Sequence, residues 1–144
     1  MLRYDRRIAD IHSFVATLLV ADEIPIDPLH ISFAGQSLRT LPDLTLPLHT
    51  LTLTSNELSD LPPDLPQTLL HLDISRNWFR KIPNLPTSLV SLNGCHNLLR
   101  NSGLGTLPEG LLTIDLRFNQ NLNKLSYLKA LQVRPSEERR TGGA

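Results

Sequence analysis

Between Ile31 and Asn121 the chain alternates apolar and polar residues in short bursts that recur at a nearly fixed interval. The segments ISFAGQSL, LTLTSNEL, LDISRNWF, LNGCHNLL and IDLRFNQN align on first residues Ile31, Leu51, Leu72, Leu92 and Ile114, giving steps of 20, 21, 20 and 22 residues. The longest step carries a two-residue insertion around 101–105. Each unit reads apolar, any, apolar, any, any, Asn, any, apolar. Its second apolar place is held by Phe33, Leu53, Ile74, Gly94 and Leu116, among which Gly94 is the weak link. Alternation over so few residues predicts one short strand per unit, and units stacked on one another predict a parallel sheet with neighbouring strands ~4.8 Å apart.

The returns between strands read LPDLTLPL at 41–48, LPPDLPQTL at 61–69, IPNLPTSL at 82–89 and LGTLPEGL at 104–111. Proline fixes φ and offers no amide donor, so these returns are expected to be extended or polyproline-like rather than helical. A period near twenty with leucine at fixed places is the signature of a leucine-rich-repeat solenoid at its shortest unit length, with the short parallel sheet on its concave side. Asn56, Asn77, Asn97 and Asn119 fall where each strand turns into its return. Because Asn donates and accepts at once, a buried column of them can satisfy the backbone groups that each turn exposes. Gln36 takes that place in the first unit and suggests a looser turn there.

A terminal repeat has no neighbour to cover its open face. Ile8, Ile11, Val15, Leu18 and Leu19 follow helical spacing, which predicts an amphipathic helix over residues 5–21 lying on the first unit. The organisation that follows is an N-terminal helical cap over 1–25, a repeat domain over 26–134, and a flexible tail over 135–144. In the last part of the repeat domain Leu122, Leu125, Leu128 and Leu131 are expected to continue the return, and Leu131 with Val133 to form a truncated sixth strand before Pro135.

Composition supports this picture and removes several functions. Leucine supplies 31 of 144 residues and Phe, Tyr and Trp together only seven, so the core must come from one repeating aliphatic element. Fourteen basic residues balance fourteen acidic ones, which leaves no electrostatic footprint for nucleic acid. Cys95 is the single cysteine, so there is no disulfide framework and no cysteine-rich metal site. No run of eighteen apolar residues exists, and the apolar stretch at 14–21 follows Asp5, Asp10 and His12, so neither membrane insertion nor a cleavable signal peptide is expected.

Candidate chemistry is sparse. Cys95 beside His96 has no third group placed to orient the histidine, so no catalytic residue is assigned. His12, His30, His49, His71 and His96 lack the close spacing of zinc ligands, so neither metal nor cofactor is expected. Asp73 and Asp115 stand two units apart, too far for paired acid–base work.

The outward strand face is the informative surface. One column reads Ser32, Thr52, Asp73, Asn93, Asp115; the next Ala34, Thr54, Ser75, Cys95, Arg117; the turnward one Gly35, Ser55, Arg76, His96, Phe118. Units three to five hold the residue types enriched in interface hot spots, so Asp73, Arg76, Asn93, His96, Asp115, Arg117 and Phe118 are the expected partner-binding residues. Phe79 is expected in the core, and Trp78 on the convex side as a packing residue or second contact.

Doubled Leu-Pro returns such as IPNLPTSL at 82–89, joined to LTLTSNEL and LDISRNWF, resemble the bacterial LPX leucine-rich-repeat proteins, whose members include type III-secreted effectors of the IpaH and YopM kind. The resemblance covers about residues 26–134, and the family also has an amphipathic helical cap. It implies a curved recognition arm, ligase-free or ligase-linked, made in the bacterial cytoplasm and exported into a host cell, that grips a host protein; a monomer is expected. Relatives that transfer ubiquitin carry a Cys-x-Asp nucleophile in a separate helical domain. Here the only cysteine reads Cys95-His96-Asn97 inside a repeat, so ligase chemistry is not carried over. The alternatives are the substrate-recognition part of a longer or truncated ubiquitin ligase, and a passive scaffold.

Overall fold

The structure is a computed structural model that describes residues 1–8, 10–20 and 29–123. Among these, six strands form one all-parallel sheet in chain order: β1 (Leu2–Arg3), β2 (Leu29–Ser32), β3 (Leu48–Thr52), β4 (His71–Asp73), β5 (Ser91–Asn93) and β6 (Thr113–Asp115). Helix α1 (Ile11–Val20) lies between β1 and β2 in the chain. The pairing register runs Ile31, Leu51, Leu72, Leu92, Ile114, which is the register that the sequence alignment requires.

The inward residues of each unit make one continuous core. Ile31, Phe33, Leu51, Leu53, Leu72, Ile74, Leu92 and Leu116 are buried, joined by Leu58, Phe79 and Leu99 just past each asparagine and by Leu69, Leu89 and Leu111 before each strand. The returns contain no α-helix among the described residues. Each later return closes with a tight turn after its last proline, where the amides of Leu69, Leu89 and Leu111 donate to the carbonyls of Pro66, Pro86 and Pro108. The proline stands at the first place of each turn and supplies the accepting carbonyl, while Gln67, Thr87 and Glu109 take the second place, where a type I turn accepts most residues.

Gly94 is not a gap in the core. A Cβ built there would lie 2.9 Å from Leu116 Cδ2, so the leucine of the next unit occupies the room that a side chain would have taken. The insertion forms a single 3-10 turn, Asn101–Gly103, pressed against the preceding return: the Ile82 amide donates to the Gly103 carbonyl at 2.8 Å. A Cβ on Gly103 would sit 2.5 Å from the Arg80 carbonyl oxygen, so only glycine admits this approach.

The N-terminal end departs from expectation. Residues 2–3 are a strand, pairing Leu2 with Ile31 and Arg3 with Ser32, and so add a unit that the alignment missed. The helix begins at Ile11 rather than near residue 5, and Ile8 lies outside it, 85% exposed. The reason is local: Asp5 accepts the Arg7 amide at 2.9 Å and closes a turn, and Asp10 then accepts the Ser13 amide at 2.8 Å as the helix cap. Val15 is buried, Ile11 and Leu18 are half-buried, and Phe14 completes the contact. The rings of Tyr4, Phe14 and Phe33 meet with centroids 5.3–5.9 Å apart, joining β1, α1 and the first long unit. The side chain of Leu19, residues 21–28, Leu125, Leu128, Leu131, Val133 and the tail after Pro135 lie outside the described residues.

Candidate protein-binding face

The concave face carries the outward residues of β3 to β6. Its centre is a shallow groove of about 350 Å³ walled by Thr52, His71, Asp73, Ser91, Asn93 and Asp115. His71 Nδ1 and Ser91 Oγ are 2.8 Å apart across neighbouring strands. Asp73 and Asp115 are two strand spacings apart, about 10 Å.

The column through Asp73, Asn93 and Asp115 has a structural duty that the sequence did not disclose. Each side chain accepts the backbone amide two residues on: Ser75 to Asp73 at 2.9 Å, Cys95 to Asn93 at 3.2 Å, and Arg117 to Asp115 at 3.1 Å. Ser32 does the same for Ala34 at 3.3 Å. These are Asx- and Ser-type turns, in which a short polar side chain replaces a backbone acceptor where a strand ends.

At the equivalent place in each unit from β2 to β6 the backbone enters the left-handed region, at Gly35, Ser55, Arg76, His96 and Phe118, with φ between 54° and 69°. Side chains other than glycine are disfavoured there by roughly 1–2 kcal/mol, so the surrounding hydrogen bonds must impose the conformation. The consequence is an ordered row of large side chains on the lip of the concave face. His96 and Phe118 stack with centroids 4.4 Å apart and planes 14° from parallel, and Phe118 remains 65% exposed. Arg117 grips Asp115 through two bonds, Nε to Oδ1 at 3.0 Å and Nη2 to Oδ2 at 2.8 Å, and its guanidinium lies 6.0 Å from the Phe118 ring centre. The hydrogen bond from Arg117 holds the Asp115 carboxyl below the usual carboxylate range. The structure thus brings His96, Asp115, Arg117 and Phe118 into one cluster, with Asn93 beside it and Asp73 and Arg76 further along the stack.

Behind this lip the asparagines form the expected buried ladder. Asn77 donates to the carbonyls of Leu53, Ile74 and Ser75 at 2.9–3.1 Å and accepts the Leu58 amide at 3.0 Å. Asn97 and Asn119 repeat this one and two units on, accepting from Phe79 and Leu99. Asn56 accepts from both Gln36 and Leu38. Gln36 does not loosen its turn: its longer side chain reaches the Arg6 amide of the preceding unit at 3.0 Å and the Ala34 carbonyl at 3.1 Å, continuing the ladder to β1.

The Cys95 thiol is pushed above its ordinary value, first by burial and then by the nearby Asp115 and Asp73 charges, which disfavours the nucleophilic thiolate. Among the described residues no cluster of His, Cys, Asp and Glu could hold a metal ion, and no helix is long and apolar enough to cross a membrane. The sequence singled out Trp78 on the other side of the asparagines but overlooked Leu98 at the equivalent place in the next unit; the two are 48% and 44% exposed.

No family model matches the chain. It is similar to Podocan-like protein 1 of Mus musculus, 40% identical over 79 residues that make up 49% of this chain and 14% of that protein. It is likewise 40% identical over 60 residues to a probable E3 ubiquitin-protein ligase of Sinorhizobium fredii, covering 42% of this chain and 11% of that one. Among solved structures it is similar to YopM from Yersinia enterocolitica, with 41% identity and a TM-score of 0.59 over 65% of this chain and 20% of that chain. The chain therefore spans a fifth or less of the length of each relative. The stacked parallel strands, the asparagine ladder and these similarities together give the chain the leucine-rich-repeat solenoid fold, similar to that of YopM.

Proposed function

We propose that the chain is the recognition segment of a bacterial effector-like protein, exported to act inside a host cell, and that it holds a host protein on its concave face as a monomer without metal or cofactor. In this reading residues 1–25 are its cap and residues 26–134 its repeat domain. The observation that carries it is the cluster at the C-terminal lip: an exposed Phe118 stacked on His96 beside the Asp115–Arg117 pair. An aromatic ring held in a disfavoured backbone conformation and left in water contributes nothing to the core, and rigid aromatic and arginine side chains are what dominates binding energy at interfaces. Asp73, Arg76 and Asn93 supply the polar surround, and the 41% identity to YopM supports the effector context.

The test is cross-linked capture from host lysate, comparing the native chain with Arg117→Ala plus Phe118→Ala. A specific partner held by the native chain and lost by the double variant is the expected result. Capture that survives both substitutions removes the concave lip from the site.

A second reading has a specific observation in its favour, the similarity to a probable E3 ubiquitin-protein ligase. There the repeats select the substrate and a separate part of a longer gene product transfers ubiquitin. Cys95 lies inside a repeat as Cys95-His96-Asn97, without the Cys-x-Asp motif, so in this reading the segment does not itself carry the nucleophile. Ubiquitin discharge by the full gene product, retained in Cys95→Ser, is the outcome this reading requires.

A further inference from the structure

The turn between concave and convex sides carries a second exposed surface. Past the buried Asn77 and Asn97, the chain exposes Trp78 and Leu98, and two residues further on Arg80 and Arg100. The Leu98 amide donates to the Phe79 carbonyl at 2.8 Å and the Arg100 amide to the Arg80 carbonyl at 3.2 Å, so the two apolar side chains and the two guanidiniums belong to adjoining rows. The glycine-only contact of the 3-10 turn against the Arg80–Lys81 backbone fixes the distance between those rows. The surface has clear ends: the same place is held in the second unit by Glu57, paired to Arg39 at 3.0 Å, and in the fifth by Gln120.

Within units three and four its charge has one sign, and the acids that border it, Glu57 and Asp60, belong to unit two. From Ile74 to Pro108 the sequence contains no Asp or Glu, while Arg80, Lys81 and Arg100 are all exposed, and none of these is in an ion pair among the described residues. In a chain of zero net charge this is a local concentration of cations around an apolar centre. Stacking along single-stranded nucleic acid needs an aromatic side chain for successive bases, and only one is present here. Docking on a lipid surface needs a long apolar face, and two side chains do not make one. A short anionic polypeptide with one or two apolar anchors matches both the charge and the size.

We propose that Trp78 and Leu98, flanked by Arg80, Lys81 and Arg100, dock an acidic polypeptide segment that places an apolar side chain between them. This rests on the reading of the chain as a protein-binding module but uses none of the concave-face residues.

Trp78 is the only tryptophan, so its fluorescence reports on this site alone. The probes are a short synthetic peptide with glutamates around a leucine-phenylalanine pair, a lysine counterpart with the same apolar residues, phosphatidylserine vesicles and a single-stranded oligodeoxynucleotide. The acidic peptide is expected to shift Trp78 emission to the blue in a saturable, salt-sensitive manner, and the lysine peptide to leave it unchanged. Replacing two exposed cations, Arg80→Ala with Arg100→Ala, is expected to weaken that binding about ten-fold, while Arg117→Ala plus Phe118→Ala leaves it intact. The proposal is overturned if the acidic peptide gives no shift, if the arginine pair is dispensable, or if vesicles or the oligonucleotide give the stronger response. Loss of the peptide response in the Arg117/Phe118 variant alone would move the site to the concave lip, ending this proposal while leaving the concave reading in place.

Discussion

The side-chain amide of Asn77 ties together three carbonyls and one amide drawn from two successive units, so a single residue closes a turn and joins it to its neighbour. Removing it leaves buried donors and acceptors with no water to replace the lost bonds. Asn77→Ala is expected to destabilise the chain by at least ~1–3 kcal/mol in urea denaturation, and Asn77→Asp to be damaging as well, because the carboxylate keeps the acceptor but loses the donor. A melting curve unchanged by Asn77→Ala would refute the structural role of the ladder. The asparagines were legible because period and burial coincide at that place. The left-handed residues beside them were not, since Arg76, His96 and Phe118 lack the glycine or asparagine that normally marks such a conformation. Nor was the duty of Asp73, Asn93 and Asp115, since a polar side chain on an outward strand position reads as partner-facing until its bond to the next amide but one is seen.

At the scale of elements, the strands from β2 to β6 were readable because the alternation that buries Leu51, Leu72 and Leu92 cannot slip by one residue without turning the core into water. β1 was overlooked although Leu2 and Tyr4 repeat the spacing of Ile31 and Phe33. It lacks the asparagine, and Ile8 continues a helical rhythm that the Asp5 turn and the Asp10 cap interrupt. The cap is therefore a strand and a helix that share an aromatic seam. Tyr4 is 4% exposed and contacts both Phe14 and Phe33, so Tyr4→Ala empties the seam and is expected to cost about 3–5 kcal/mol, whereas Tyr4→Phe keeps the ring contacts. Equal urea midpoints for Tyr4→Ala and the native chain would show that α1 and β1 do not seal the first long unit.

Across the whole molecule, contacts pass from each unit to the next. The Leu58 amide ends on Asn77, that of Phe79 on Asn97 and that of Leu99 on Asn119, while backbone amides at Phe33, Leu53, Ile74 and Gly94 donate to the strand one unit on. Stability in such a stack is a sum of unit and nearest-neighbour terms, and opening spreads inward from the ends. Native-state hydrogen exchange can resolve this because each ladder amide reports on one interface. The amides of Leu58, Phe79 and Leu99 are expected to exchange slowest and that of Tyr4, bonded to the Ser32 carbonyl at the edge of the sheet, markedly faster. Asn97→Ala removes the acceptor of the Phe79 amide and the bonds to the Ile74 and Gly94 carbonyls, so protection should fall most at Phe79, less at Leu58 and Leu99, and little at Tyr4. An equal fall at all four amides would mean that the chain opens as one block, and the nearest-neighbour description would then fail for this solenoid.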